Sequence, residues 1–289
     1  MPKLQEFDRR WVFLVVAIAI TVTVYWGEEL KQPIVPSPAV RSVYRDIEQL
    51  PAGSAVLIAT DFDPQSEAEL VPITKAVLNH CFQEDLKVLG MTFWPQGGPL
   101  GNRLFREVAA KYDKESGKDY VYLGYKPGSF AQVITNMGED LTTAFPQDAN
   151  NQPTANMPML EDVQNLRDID YMLDMAAGET PRPWIVFGAD KYGFPMSAGC
   201  TAVVAPNLYV YTNTGQLNGV IAGLRGAAED LVEAALELDV ELAIARFAAD
   251  FDCTMPTIEG TGFEIAGGRS PLLDVPFQEV EPVDYGVEG

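Results

Sequence analysis

The chain contains a single histidine, His80, among its 289 residues. A zinc centre built on several histidines is therefore excluded, and in any Ser-His-Asp arrangement His80 would have to serve alone. Its three cysteines, Cys81, Cys200 and Cys253, are far apart and form no Cys-x-x-Cys pair. An odd, scattered set is not a disulfide framework, although one bridge with a thiol left over would fit. His80 and Cys81 are neighbours late in a predicted helix, where adjacent side chains face different ways, so a Cys-His nucleophile is not expected there. Cys200 reads as a small core residue.

Positive charge is also scarce. Twenty Lys and Arg stand against 41 Asp and Glu, for a net charge of −21. Nucleic acid is excluded as a partner, because phosphate binding needs clustered bases. An anionic lipid surface would likewise repel the folded part. The acids are dispersed, which is the pattern of a solvated surface, with cation binding or a basic partner as the alternatives. With 47% hydrophobic and 21% charged residues, the composition is that of a globular chain.

One long stretch lacks charge altogether. Between Arg10 and Glu28 the chain reads WVFLVVAIAITVTVYWG. At 1.5 Å per residue, residues 11–27 cover roughly 25 Å, the short end of a membrane span. Trp11 at one end and Tyr25 and Trp26 at the other stand where interfacial aromatics do. The apolar run is long for a cleaved signal peptide and no A-x-A site follows it. Residues 11–27 are therefore predicted to be a transmembrane helix. Lys3, Arg9 and Arg10 before it and Glu28 and Glu29 after it favour a cytoplasmic N-terminus and an extracytoplasmic domain. Lys31, Arg41 and Arg45 weaken that asymmetry.

The expected organisation is a cytoplasmic tail over 1–10, the span over 11–27, a Pro-rich stalk with a short helix over 28–50, an α/β domain over 51–250 and an extended tail over 251–289. The tail is rich in Pro, Gly and acids and reads as an arm or a disordered segment. Within the domain, strands are predicted at 55–60, 87–94, 120–125, 169–175 and 201–205. Helices are predicted at 66–82, 100–112, 129–137, 159–166 and 181–192, with one long helical pattern over 215–248. The 181–192 helix competes with a strand at 184–188. A long polar stretch, 138–157, reads as a functional loop or an excursion. Alternating elements imply a mostly parallel, Rossmann-like doubly wound sheet of about five strands. The longest connection falls between strands three and four, which gives the order 3-2-1-4-5.

In such sheets ligands bind beyond the carboxyl ends of the strands. Those ends present Asp61 and Asp63, then Gly97 and Gly98, then Lys126 and Ser129, then Glu179. Asp61-x-Asp63 after an apolar strand could hold Mg²⁺ through oxygen ligands. The motif resembles the first motif of haloacid-dehalogenase-like phosphotransferases, a likeness covering about ten residues, which implies that Asp61 would be the nucleophile. Pro64 follows, and Gln65 stands where that family usually has Thr or Val. The competing reading is a turn at Asp63-Pro64-Gln65-Ser66 that caps a helix. Gly97 and Gly98 could cradle an anion at a helix start, but the segment lacks G-x-G-x-x-G and a Walker lysine. Lys126 and Ser129 fit a capped helix start as well as a phosphate grip. No cofactor is implied.

Gly215, Gly219 and Gly223 recur every fourth residue, with Gly226 beyond. On one helix they would form a stripe allowing close backbone approach, either within the chain or to a partner. Together these features suggest a membrane-anchored, non-catalytic subunit of a protein complex, held in the bilayer by 11–27 and touching other subunits or itself. A membrane-tethered binding or sensor domain for a small ligand is the alternative. A Mg²⁺-dependent phosphoryl-transfer enzyme using Asp61 and Asp63 is the third.

Overall fold

The computed structural model describes residues 36–223 and 226, six helical positions between Trp11 and Thr21, and the backbone of 257–259, 262–268 and 283–287. Two units are distinguished, Met1–Val35 and Pro36–Gly289. In the first, the apolar side chains of Trp11, Leu14, Val15, Val16 and Ile18 are exposed. Among the described residues no helix is long and apolar enough to cross a membrane. Most of the predicted span, including Tyr25 and Trp26, lies outside the described residues.

The second unit is organised by its apolar runs. β1 (Ala55–Asp61) is buried at every position. A strand covered on both faces needs no polar alternation, which is the condition of a parallel sheet between helical layers. β2 (Lys87–Thr92), β3 (Tyr120–Tyr125), β4 (Tyr171–Ala176), β5 (Met196–Cys200) and β6 (Val220–Ala222) complete it. The order is β3-β2-β1-β4-β5-β6, and every neighbouring pair is parallel. This is the predicted Rossmann-like arrangement with a sixth strand added at one edge.

Helices α1 (Pro38–Glu48), α2 (Glu67–Gln83) and α3 (Gly97–Ala109) cover one face, packing on Val56, Ile58, Leu173 and Met175. The other face carries α4 (Phe130–Glu139), α5 (Leu141–Ala144), α6 (Met159–Asp162), α7 (Pro181–Pro183), α8 (Asp190–Tyr192) and α9 (Ala205–Asn213). They pack on Leu57, Ala59, Met91 and Met172. A π-helical segment, Trp184–Ala189, joins α7 to α8, and Gly193 closes the run at φ 88°. The 181–192 segment is thus helical, and the competing strand at 184–188 is excluded. His80 is buried in α2 with its ring stacked on Tyr44 at 4.2 Å, a core role.

Two sequence expectations are corrected. Residues 201–205 are not the last strand: they form a turn and the first residue of α9, while the strand lies at Met196–Cys200. That strand is made of small residues because its neighbours are close. A Cβ on Gly199 would stand 2.5 Å from Met175 Sδ and 2.9 Å from Ile73 Cγ2. The second correction concerns the glycines. Residues 220–222 form β6, so Gly215, Gly219, Gly223 and Gly226 do not share one helical stripe. Gly215 and Gly223 take positive φ, 77° and 59°, turns that a side chain disfavours.

Gly219 nevertheless permits a close approach within the chain. A Cβ there would lie 2.4 Å from the Ala39 carbonyl oxygen and 2.6 Å from Val43 Cγ2, both on α1. Gly219→Ala is expected to strain α1 away from the sheet edge and cost about 1–3 kcal/mol, the usual penalty of overpacking. The urea midpoint of the full chain would report it, and an unchanged midpoint would contradict this packing.

In the predicted tail, β7 (Thr257–Glu259), β8 (Gly262–Gly268) and β9 (Val283–Val287) form an antiparallel three-stranded sheet in the order β7-β8-β9. The remainder of 251–289, and the predicted helix beyond Gly226, lie outside the described residues.

Candidate functional site

The chain lays β3, β2 and β1 side by side and then crosses to place β4 on the free edge of β1. This is the switch point at which doubly wound sheets open a crevice. Asp61 is the last residue of β1. Asp174 lies in β4 opposite Ala59, while Asp61 is opposite Ala176. Successive side chains alternate between faces, so Asp61, Ala59 and Asp174 all point to the α4–α9 side. Both carboxyls are fully buried.

One oxygen of Asp61 is well held. Its Oδ1 accepts from the Phe93 amide at 2.6 Å and shares the Thr92 hydroxyl proton, at 3.0 Å from Oγ1, with the Thr60 carbonyl at 2.8 Å. Thr92 Oγ1 in turn accepts from the Trp94 amide at 2.9 Å, which ties the turn after β2 to β1. The other side of the pair is unsatisfied. Asp174 and the Trp184 indole face Asp61, and Thr180 faces Asp174. Yet Asp61 Oδ2, both oxygens of Asp174, Thr180 Oγ1 and Trp184 Nε1 are buried without a formed hydrogen bond. The Phe93 ring packs beside the pair, 4.7 Å from Phe130 and 5.5 Å from Trp184.

Burial pushes the Asp61 carboxyl from 3.8 to about 6, and the bonds from Phe93 and Thr92 only partly offset it. Asp174 is raised well above the ordinary carboxylate range, by burial first and then by the negative charge of Asp61. Two carboxyls so close cannot both ionise cheaply, so one proton resides on Asp174 while Asp61 carries the charge. A proton on Asp174 supplies an O–H that Asp61 Oδ2 can accept.

A second feature lies further along the strand ends. A cleft of about 780 Å³ opens between Gly98, Pro99 and Asn102 of α3, the end of β3 with Tyr125 and Lys126, and residues 145–153. The 145–153 wall is held rigidly by Asp148. Its carboxylate accepts from the amides of Asn150 and Gln152, both at 2.8 Å, and from Asn150 Nδ2 at 3.3 Å. The Ala149 amide donates to Tyr122 O at 2.9 Å, and Asn102 Nδ2 donates to Asn150 Oδ1 at 2.9 Å. The stretch predicted as a long polar loop is thus a pinned excursion.

The residues singled out in the sequence scatter over these features. Asp61 belongs to the buried pair. Asp63 serves its own turn, its Oδ1 accepting from the amides of Gln65 and Ser66. Gly97 packs its backbone against the core: a Cβ would stand 2.4 Å from Thr60 O and 2.7 Å from Thr92 Oγ1. Gly98 and Lys126 line the cleft. Lys126 Nζ donates to the Ala144 carbonyl and lies over the Phe145 ring. Ser129 caps α4, accepting from the Gln132 amide at 3.3 Å. Glu179 accepts from Asn207 Nδ2 at 3.0 Å. No group of three or more metal-ligating side chains gathers among the described residues.

Asp174 and Trp184 were not among the sequence candidates, and Thr180 was marked only by its place at a strand end before a predicted helix. One signal was present: an aspartate in the middle of the apolar run Tyr171–Ala176, within a predicted strand. Comparison with known protein families, curated proteins and solved structures finds no match.

Proposed function

We propose that this chain is a membrane-tethered binding domain, anchored through 11–27, whose α/β unit takes a small ligand in the cleft beside β3. The cleft carries this reading. Its volume, about 780 Å³, falls within the roughly 300–1,000 Å³ of small-molecule sites. Its wall is pre-organised by Asp148, so binding costs little ordering. Lys126 and Asp148 are both engaged inside the protein, which favours a polar ligand without net charge. Tyr125 offers a ring that is 40% exposed, and Asn102 Oδ1 is buried without a partner. The charge pattern around 11–27 favours a cytoplasmic N-terminus and a domain on the other side.

The experiment is a thermal-shift screen of the full chain in mild detergent against neutral sugars, nucleosides and amino-acid amides. A specific ligand at a hundred times its Kd stabilises by about 2.7 kcal/mol. Asp148→Ala removes the pin of the cleft wall, and the same ligand should then lose at least tenfold in affinity. No shift with any of these probes, or a shift that Asp148→Ala leaves intact, would count against the cleft.

A second reading, the non-catalytic subunit of a membrane complex, is favoured by the surface before and along α9. Val203 is 85% exposed, Val210 54% and Tyr209 46%. Exposed apolar side chains gathered on one stretch of surface mark an interaction site. A stable monomer with nothing co-purifying in mild detergent would argue against it. The phosphoryl-transfer reading draws no comparable support, since Asp63 is engaged in its own turn.

A further inference from the structure

We propose that Asp61, Asp174, Thr180 and Trp184 form a buried proton-binding site at the switch point, and that a second proton taken by Asp61 loosens the turn carrying one wall of the cleft. The inference rests on the proposed function only in naming that wall. The site itself stands on geometry. Two fully buried carboxyls lie on the same face of adjacent strands, two positions apart in register. Two further polar side chains, Thr180 at 3% exposure and Trp184 at 0%, point into the cluster and have no hydrogen-bond partner. The indole can only donate, which disfavours a bound cation. A proton is the positive species that the group can share without a cavity.

The coupling runs through Asp61 Oδ1. While Asp61 is ionised, its bonds from the Phe93 amide and Thr92 Oγ1 are charge-assisted. Thr92 Oγ1 holds the Trp94 amide, and Thr92 O accepts from the Lys126 amide at 3.1 Å. Gly97 follows directly and fits against Thr60 O and Thr92 Oγ1, so the start of α3 moves with the turn. Gly98 and Pro99, the next residues, line the cleft. Neutralising Asp61 weakens the two bonds at the head of this chain and leaves the rest in place.

The other groups around the pair do not compete for the proton. Tyr122, hydrogen-bonded to Thr60 Oγ1 at 2.6 Å, is raised by burial and by the charge of Asp61. Cys200 on β5 is pushed up to about 12, by burial first and then by Asp174 and Glu69. Glu69 on α2 accepts from the Ala202 amide at 2.8 Å. Near neutral pH the carboxyl pair is therefore the group that exchanges a proton there.

The test uses the full chain in mild detergent with ¹⁵N-labelled tryptophan and phenylalanine. There are four tryptophans, and Trp184→Phe assigns the indole resonance. The Trp184 Nε1–H should titrate with a midpoint near pH 6. Across the same midpoint, exchange protection of the Phe93 and Trp94 amides should fall by about tenfold, the order expected when a charge-assisted bond becomes neutral. Asp61→Asn should abolish both changes. Asp174→Asn, which mimics the protonated partner, should keep a single titration and guards against a variant that fails to fold. An indole that does not titrate, or titrates in Asp61→Asn, overturns the site. An indole that titrates while amide protection stays constant overturns the coupling. None of these readouts needs a ligand, so an empty thermal-shift screen would refute the cleft and leave this result standing.

Discussion

Asp61→Asn is expected to raise the stability of the chain at pH 8 and to flatten its dependence on pH. Asp61 has an ordinary pKa of 3.8 when unfolded and about 6 when folded. A raised pKa means that the folded state binds the proton more tightly than the unfolded one. The associated stability is complete below pH 3.8, fades as pH rises through about 6, and is absent above it. Each pH unit between the two values is worth about 1.4 kcal/mol, so the ionised carboxylate costs on the order of 3 kcal/mol at pH 8. Asn keeps Oδ1 as acceptor for Phe93 and Thr92 and removes the charge. For a chain of this size a gain of that order raises Tm by roughly 5–10 °C.

The net charge of −21 adds a general repulsion that also relaxes in acid. The quantity to measure is therefore the difference between wild type and variant across pH, not either curve alone. The difference should approach zero near pH 4 and be largest near pH 8. A variant less stable than wild type at pH 8 would show that the carboxylate is well satisfied and would remove the electrostatic basis for the pair. Stabilisation would carry a further meaning. Breaking a buried pair that supports the fold is costly, whereas a group whose removal stabilises is not there for stability.

The same pair illustrates what could be read in the sequence. The βα rhythm, the parallel order and the crossing beside β1 followed from apolar runs and from the length of the connection between strands three and four. The edge did not. Met196–Cys200 is a strand because tight neighbours demand small residues, and small residues carry no strand signal. Residues 220–222 looked helical because glycines four apart suggest a stripe, when two of them instead take positive φ. Asp61 was visible at a strand end. Asp174 was not associated with it, since parallel strands far apart in sequence become neighbours only once the sheet order is known. Residues 145–153 were noticed for their length, but their rigidity depends on Asp148 meeting the amides of its own turn, which composition does not show.

Tight packing of α3 on β1 and β3 predicts the second large effect. Gly101→Ala in α3 would place a Cβ 2.2 Å from Tyr122 Oη and 2.5 Å from Thr60 Oγ1. Tyr122 Oη also donates to the Gly97 carbonyl at 3.2 Å, so the added methyl meets a buried polar network rather than a yielding apolar side chain. Overpacking alone costs about 1–3 kcal/mol. Parting the Thr60–Tyr122 bond would lose one buried hydrogen bond, about 0.5–1.5 kcal/mol, since Tyr122 Oη keeps the Gly97 carbonyl and Thr60 Oγ1 the Met91 carbonyl. Gly101→Ala is thus expected to lose on the order of 2–4 kcal/mol, read from urea unfolding of the full chain. Tyr122→Phe removes the nearest obstructing atom and one of the hydroxyls at risk. The double variant should therefore be less destabilised than the sum of the two single variants, by at least about 1 kcal/mol. Strict additivity would mean that α3 shifts as a body on β2 and β3, and that its start is not fixed by the Thr60–Tyr122–Gly97 contact. The wall of the cleft would then be free to move without Asp61.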